Sequence, residues 1–271
     1  MQIVSENLLL PFCFILPLIV TSPEAAREVL KTHDQTLSGR DAPNSIRSIN
    51  HDKVSVGWLH PSSARWRLLR KLMVTHLFSP QRIEASKALR MKKVQELVKF
   101  MDESSKREDA VHIGMEAAGS PDLANFFPFL RFLDLQDASN SDFLDALLDE
   151  TELDNNDIEH LLLDMFTAGT ETSSSTLEWA MSELLTNPKT LAKAQAEIEH
   201  MIGQNGLVQE PDISEMPYLQ AVVKETFRLH PTVPLLLPRK AETDVEIFGY
   251  LVPKDAQVLV NVLRMGHRTR P

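Results

Sequence analysis

Cysteine is almost absent: Cys13 is the only one in 271 residues. No disulfide framework and no cysteine-rich zinc cluster can be assembled within the chain. Histidine does not fill that gap, because the nine present are scattered, with no HExxH and no i, i+4 pair. Long apolar runs are missing as well. The strongest candidate, LLLPFCFILPLIV from Leu8 to Val20, is thirteen residues long and interrupted by Pro11 and Pro17, whereas a spanning helix needs about 20 residues. No positive charge precedes it, so it does not read as a secretory signal either. It is expected to form a buried strand or loop beneath the first helix, the alternative being a degraded membrane anchor. Positive charge is in deficit overall, with a net charge of −10, which argues against nucleic acid as a partner. Repeats and low-complexity segments are lacking too.

What remains is ordinary globular material, 43% hydrophobic and 24% charged, enough for a sizeable core. The charge is unevenly spread. Ser62 to Lys99 holds ten Lys/Arg against two Glu, a basic island on an acidic protein. Such an island is either a solvated helix face or a docking face for an acidic partner.

Helix signals dominate. SPEAAREVLKTHD begins with Ser22 as N-cap, Pro23 at N1 and Glu24 in the first turn. Asp41 to Ser63 reads as loop. Helix returns in SARWRLLRKLMVTHLF and, after Ser79-Pro80, in QRIEASKALRMKKVQELVKFMDESSK, with Ile83, Leu89, Val94, Leu97 and Val98 as an apolar stripe. Asp109 to Asn140 shows no clean period. SDFLDALLD is a short helix, and LDNNDIEH starts a long one that runs to Asn187-Pro188. PKTLAKAQAEIEHMIG follows, closed by Gly203, and DISEMPYLQAVVKETFRLHP is stopped by Pro231. Period-two material appears only in TDVEIFGYLV and PKDAQVLVNV, expected to pair as a hairpin about Pro253-Lys254-Asp255. The fold class is mainly α with a small C-terminal β hairpin.

Three constellations carry chemistry. In DMFTAGTETSSSTLEWA, the long helix has glycine and a hydroxyl run at its centre, where glycine costs about 1 kcal/mol against alanine and hydroxyls compete for backbone hydrogen bonds. Ala168, Gly169 and Thr172 leave a shallow notch, with the Glu171 carboxyl and the Thr172 hydroxyl beside it. One use is a helix pressed against a flat ligand, where the acid and hydroxyl pass protons. The other is a close helix–helix contact, with the hydroxyls bonded to the preceding turn. In YLQAVVKETFRLHPTVPLLLPRK, Glu225 and Arg228 share a face and can form an ion pair. In ARWRLLRK, Trp66 and Arg70 lie at i, i+4; they suit a carboxylate or phosphate, or form a cation–π or snorkelling pair on an amphipathic surface.

Taken in order and spacing, these segments resemble the plant cytochrome P-450 monooxygenases, most closely the geraniol hydroxylase-like group. AGTET matches that family's oxygen-binding pattern, KETFRLHP its E-x-x-R helix, and WRLLRK its W-R-x-x-R helix. THDQTLSGR, KVSVGWLHPSSARWR and FGYLVPKDAQVLVNV are similar as well, so the resemblance spans most of residues 21 to 262. It implies a partial cytochrome P-450 fold and a haem cofactor. Ala168 and Gly169 would form the oxygen notch. Glu171 and Thr172 would deliver protons. Trp66, Arg70 and Arg239 would hold the haem propionates, and Glu225 and Arg228 would be structural.

The resemblance also implies insertion of one oxygen atom into a small apolar, terpenoid-like substrate, lined by Val54–Pro61, Leu161–Phe166 and Thr232–Leu237. Electrons would come from an NADPH-cytochrome reductase docked partly on the basic island, at the cytosolic face of the endoplasmic reticulum membrane. Against that pattern the axial cysteine loop and its neighbouring arginine are absent, Arg264 stands where an apolar residue is usual, and Cys13 cannot substitute as iron ligand. Residues 1–271 are therefore expected to be a single incomplete domain, with interior gaps near 114–115 and 136–141. The chain as it stands is expected to be inactive, and the competing reading is a non-catalytic helical remnant without haem.

Overall fold

The computed structural model describes residues 17–105, 143–148, 152–203 and 206–268. Cys13, the whole Asp109–Asn140 stretch and both expected gap positions lie outside these. Two compact units are present: one comprises the residues up to Trp66 together with Thr167–Pro271, the other Arg67–Phe166.

The first unit is built on a four-stranded sheet. Strand β1 (Leu18–Val20) precedes helix α1 (Pro23–Arg27), which continues as a π-helical turn to Thr32. Ser22 caps α1 as expected, its hydroxyl accepting the Ala25 N–H at 3.2 Å. Strand β2 is Gly39–Arg40 and the short helix α2 is Asn44–Ser48. After the second unit the chain returns through the end of the long helix α7 (Asn155–Thr186), then α8 (Pro188–Ile202) and α9 (Pro217–Leu229). Strands β3 (Arg239–Lys240), β4 (Val245–Ile247), β5 (Tyr250–Val252) and β6 (Gln257–Val260) precede the last helix, α10 (Val262–Arg268). Sheet order is β1-β6-β3-β2, with β1 parallel to β6 and the other neighbours antiparallel. Val20, Val29, Leu37, Ala241, Val258 and Val260 are among the side chains of the core beneath it.

The part of the apolar N-terminal run that is described forms a strand, Leu18↔Val258 to Val20↔Val260, with Val20 buried and Leu18 and Ile19 half-buried. The hairpin lies elsewhere than the alternation indicated. It joins β4 to β5 through Phe248 and Gly249, both at positive φ (51° and 77°), the two-residue turn whose twist matches antiparallel strands. Residues 253–256 instead fold back onto residue 241: Asp255 N–H donates to Ala241 O at 2.8 Å and Ala241 N–H to Ala256 O at 3.0 Å. β5 and β6 thus belong to different sheets.

The second unit carries most of α3 (Ala64–His76), then α4 (Pro80–Ala85), α5 (Lys87–Ser105), α6 (Phe143–Leu148) and the start of α7. The helix expected from residue 81 onward is two helices, parted at Ser86, whose hydroxyl turns back to Ile83 O at 3.0 Å. The stripe on it is not core: Ile83, Val94 and Val98 are about half exposed. Asp154 and Asp157 cap α7 reciprocally, each carboxylate accepting the other's N–H (2.8 and 3.2 Å). No helix among the described residues is long and apolar enough to cross a membrane.

Glu197 on α8 supplies the N-terminal cap of α9. Its two oxygens accept Tyr218 N–H and Leu219 N–H, both at 2.8 Å, filling orphan donors at the positive end of a helix dipole. Glu197→Ala is expected to lower stability by about 1–2 kcal/mol, and Glu197→Gln by less, since one acceptor remains. Chemical denaturation of both variants measures this.

Candidate functional site

The centre of α7 is helical throughout, despite Gly169 and its hydroxyls. Thr172 donates back to Ala168 O (2.6 Å), Ser174 to Thr170 O (2.7 Å) and Thr176 to Thr172 O (2.7 Å). The back-bonded arrangement is thus the one adopted, and it occupies the Thr172 proton. Ala168 and Glu171 are exposed and Gly169 is half-buried, so the small-residue face stands beside an accessible carboxyl. Thr170 is the exception in the run. It is buried, and its hydroxyl has no hydrogen-bond partner among the described residues.

The sheet brings together two cations that sequence spacing does not. Arg40 on β2 lies directly opposite Arg239 on β3. Arg239 donates to Asp34 Oδ1 at 2.8 Å and to Leu37 O at 3.2 Å. Arg40 donates to Leu237 O at 3.2 Å. Burial first, then the adjacent Arg239, holds Arg40 below the usual arginine range, against the raising effect of Asp34. One carboxylate therefore serves two guanidinium groups, and the neighbouring Lys240 is already paired with Asp255 at 2.9 Å. Asp41 and Glu242 also act on Lys240, so the local charges are balanced overall; the paired guanidinium groups themselves are of a type that suits a bound anion. Arg40 was legible only as part of THDQTLSGR; its pairing with a residue about 200 positions later has no local signal.

Trp66 and Arg70 sit one turn apart on α3 as expected. The indole N–H of Trp66, however, donates to Val56 O at 3.1 Å, fastening the 54–63 loop rather than pointing outward as a free donor. Arg70 is exposed.

Glu225 and Arg228 form the expected pair, with two bonds of 2.6 and 2.5 Å. Arg228 also reaches the Gly266 carbonyl. The hydrogen bond with Arg228 holds the Glu225 carboxyl below its ordinary range, and the same bond raises Arg228. An open cleft of about 360 Å³ lies between the end of α7, α8 and α9, floored by Leu184, Ala221, Val222 and Leu229. Glu225 lines it, but none of residues 168–172 does. The segment before β3 is held in an uncommon conformation: Leu236 has φ 53°, a left-handed conformation that costs a non-glycine residue about 1–2 kcal/mol. Its neighbours Val233, Leu235 and Leu237 are about 40% exposed. No group of three metal-ligating side chains occurs among the described residues.

Two variants check this geometry. Thr170→Val is expected to raise stability by about 1 kcal/mol, because it removes a buried hydroxyl with no partner; thermal unfolding measures it. Because Glu225 is depressed in the folded state, its stabilising contribution is present above the ordinary glutamate range and is lost as pH falls through its folded value. Glu225→Gln should flatten that acid limb of the stability–pH curve and leave the rest unchanged.

Known proteins place these features. The cytochrome P450 family model matches residues 17–118 and 130–270. The chain is 56% identical to cytochrome P450 76C4 and 54% identical to cytochrome P450 76C1, both of Arabidopsis thaliana, in each case over 92% of this chain and 64% of the relative. It thus spans just under two thirds of the length of these relatives. The alignment to each runs over 326 residues against 271 in the whole chain, so the relatives hold additional residues inside the matched span. Among solved structures, a zebra fish cytochrome P450 with progesterone superposes with a TM-score of 0.68 at 21% identity, over 92% of this chain and 74% of that one; this likeness bears on the fold. Family match and sequence identity agree, and the chain belongs to the cytochrome P450 family.

Proposed function

We propose that the chain derives from a haem-thiolate monooxygenase that inserts one oxygen atom into a small apolar, terpenoid-like molecule, and that the 271 residues alone hold porphyrin without turning over substrate. The family is one of haem-dependent monooxygenases served by a redox partner. The observation that carries the reading is the cross-strand pair of guanidinium groups at Arg40 and Arg239, joined with the side-chain-poor face at Ala168 and Gly169. The first fits a propionate and the second fits the flat face of a macrocycle. Arg70, with Trp66, adds a second cationic position as the family pattern implies. Glu171 is placed to hold or pass a proton beside the notch, and Thr172 can do so only after releasing Ala168 O. Glu225 and Arg228 are structural.

The residues present fit the rim and face of haem but not its iron, since the described residues include no cysteine. Haem supplies oxygen activation when ligated by a thiolate. The segments Val54–Pro61, Leu161–Phe166 and Thr232–Leu237 are mostly apolar and support an apolar substrate. The basic island supports an acidic reductase, NADPH-cytochrome reductase, as electron donor. Lys87–Glu84, Lys93–Glu96 and Lys99–Glu103 pairs offset part of that charge. We place the full protein at the endoplasmic reticulum and read residues 1–271 as one incomplete domain.

A second reading has its own support: Trp66, Thr172 and Arg239 each have their hydrogen-bonding groups engaged within the chain. This favours a helical remnant without haem. Hemin titration followed by reduction and carbon monoxide separates the two. The expected result is haem uptake without the far-red-shifted Soret band of thiolate ligation, weakened about tenfold by Arg239→Gln, the loss of one charge-assisted contact. Absence of uptake selects the remnant. A red-shifted band abolished by Cys13→Ser would assign the ligand to Cys13 and overturn the inactivity.

A further inference from the structure

An aromatic contact joins two of the segments above through residues to which no role has been given. Trp179 on α7 and His230 at the end of α9 stack with ring centroids 3.9 Å apart and planes within 4°. His230 Nε2 meets Glu183 Oε1 at 2.8 Å. Trp179 and Glu183 are at i, i+4 and share a helix face, so a single imidazole is gripped twice by α7. Glu183 is itself oriented, its other oxygen accepting from Asn187 at 3.3 Å.

His230 is anchored independently of α7. Its N–H bonds Thr226 O at 2.8 Å, Pro231 follows, and the α9 end is fastened to α10 by Arg228 on Gly266 O and His267 on Leu229 O (3.1 Å). The clamp therefore ties α7 to a fixed object. Two turns before it, residues 168–176 are the soft part of α7: one glycine and three hydroxyls competing for helix carbonyls. At roughly 100° per residue, a one-residue slip in such a stretch would swing the small-residue face away from its direction.

We propose that Trp179, Glu183 and His230 are positioning residues whose clamp sets the rotation of α7 and hence the direction of the Ala168–Thr172 face; this rests on the reading of that face as the haem contact. Amide hydrogen exchange of the 271-residue chain tests it without haem. In His230→Gln the stack is lost, and exchange across 168–176 should rise about tenfold. Trp179→Ala should match it, while Trp179→Phe, which keeps a stacking ring, should restore wild-type rates. Glu183→Gln should give a smaller rise and serves if His230→Gln does not fold. If only 179–183 and 226–230 respond, the contact is local and the proposal is overturned. Hemin titration of wild type and His230→Gln gives the second readout, an expected loss of about tenfold in affinity. A wild-type chain that binds no hemin overturns the haem reading, and the exchange data still decide the clamp.

Discussion

The end of α9 is the constraint on which the first unit depends. Within three residues, Arg228 bonds both Glu225 and the Gly266 carbonyl, Leu229 offers its carbonyl to His267, and His230 reaches Glu183. The ion pair alone would contribute little, being exposed to solvent and its screening. Its weight comes from geometry. A β-carbon at residue 266 would stand 2.2 Å from Arg228 O, so glycine is required for α10 to approach at all. Sterics, charge and helix capping converge on one turn, and α7, α9 and α10 take their relation from it.

A second constraint comes from the sheet. β1 and β6 are separated by almost the whole chain yet pair in parallel, and with β3 and β2 they enclose the side chains of the core. That register, not any local pattern, sets Arg40 across from Arg239. Asp34 acts on both guanidinium groups, Arg40 is partly desolvated, and Asp255, Asp41 and Glu242 act on the adjacent Lys240, so the sheet edge concentrates charges of both signs that no local sequence pattern would bring together.

Legibility followed the range of the interaction. Helix starts at Pro23 and Pro188 and the stop at Gly203 were readable, because caps and proline act within one turn. α7 and α9 were readable from period and from E-x-x-R. The break at Ser86 was not, since a serine hydroxyl turning back on its own helix leaves no change of period. The hairpin was displaced because Pro-Lys-Asp carries turn chemistry as strong as Phe-Gly; only the bonds from 255 and 256 to residue 241 decide between them. At the site, the notch and the Glu225–Arg228 pair were visible, whereas Arg40, the commitment of the Trp66 N–H to Val56, and the His230 stack all depend on residues brought from elsewhere in the fold.

The weak centre of α7 then has a physical sense. A helix assembled from strong formers along its whole length would resist any local adjustment. Here stability is placed at the ends: Asp154 and Asp157 cap the start, while Asn187, Glu183, His230 and Trp179 hold the finish. Between them, three hydroxyls share carbonyls with the backbone and one, Thr170, has no partner among the described residues. Such a helix keeps its direction while its middle can exchange a hydroxyl–carbonyl bond for a bond to something lying on it. The cost of that exchange is about one hydrogen bond, on the order of 1 kcal/mol net, small enough for a ligand contact at the notch to offset.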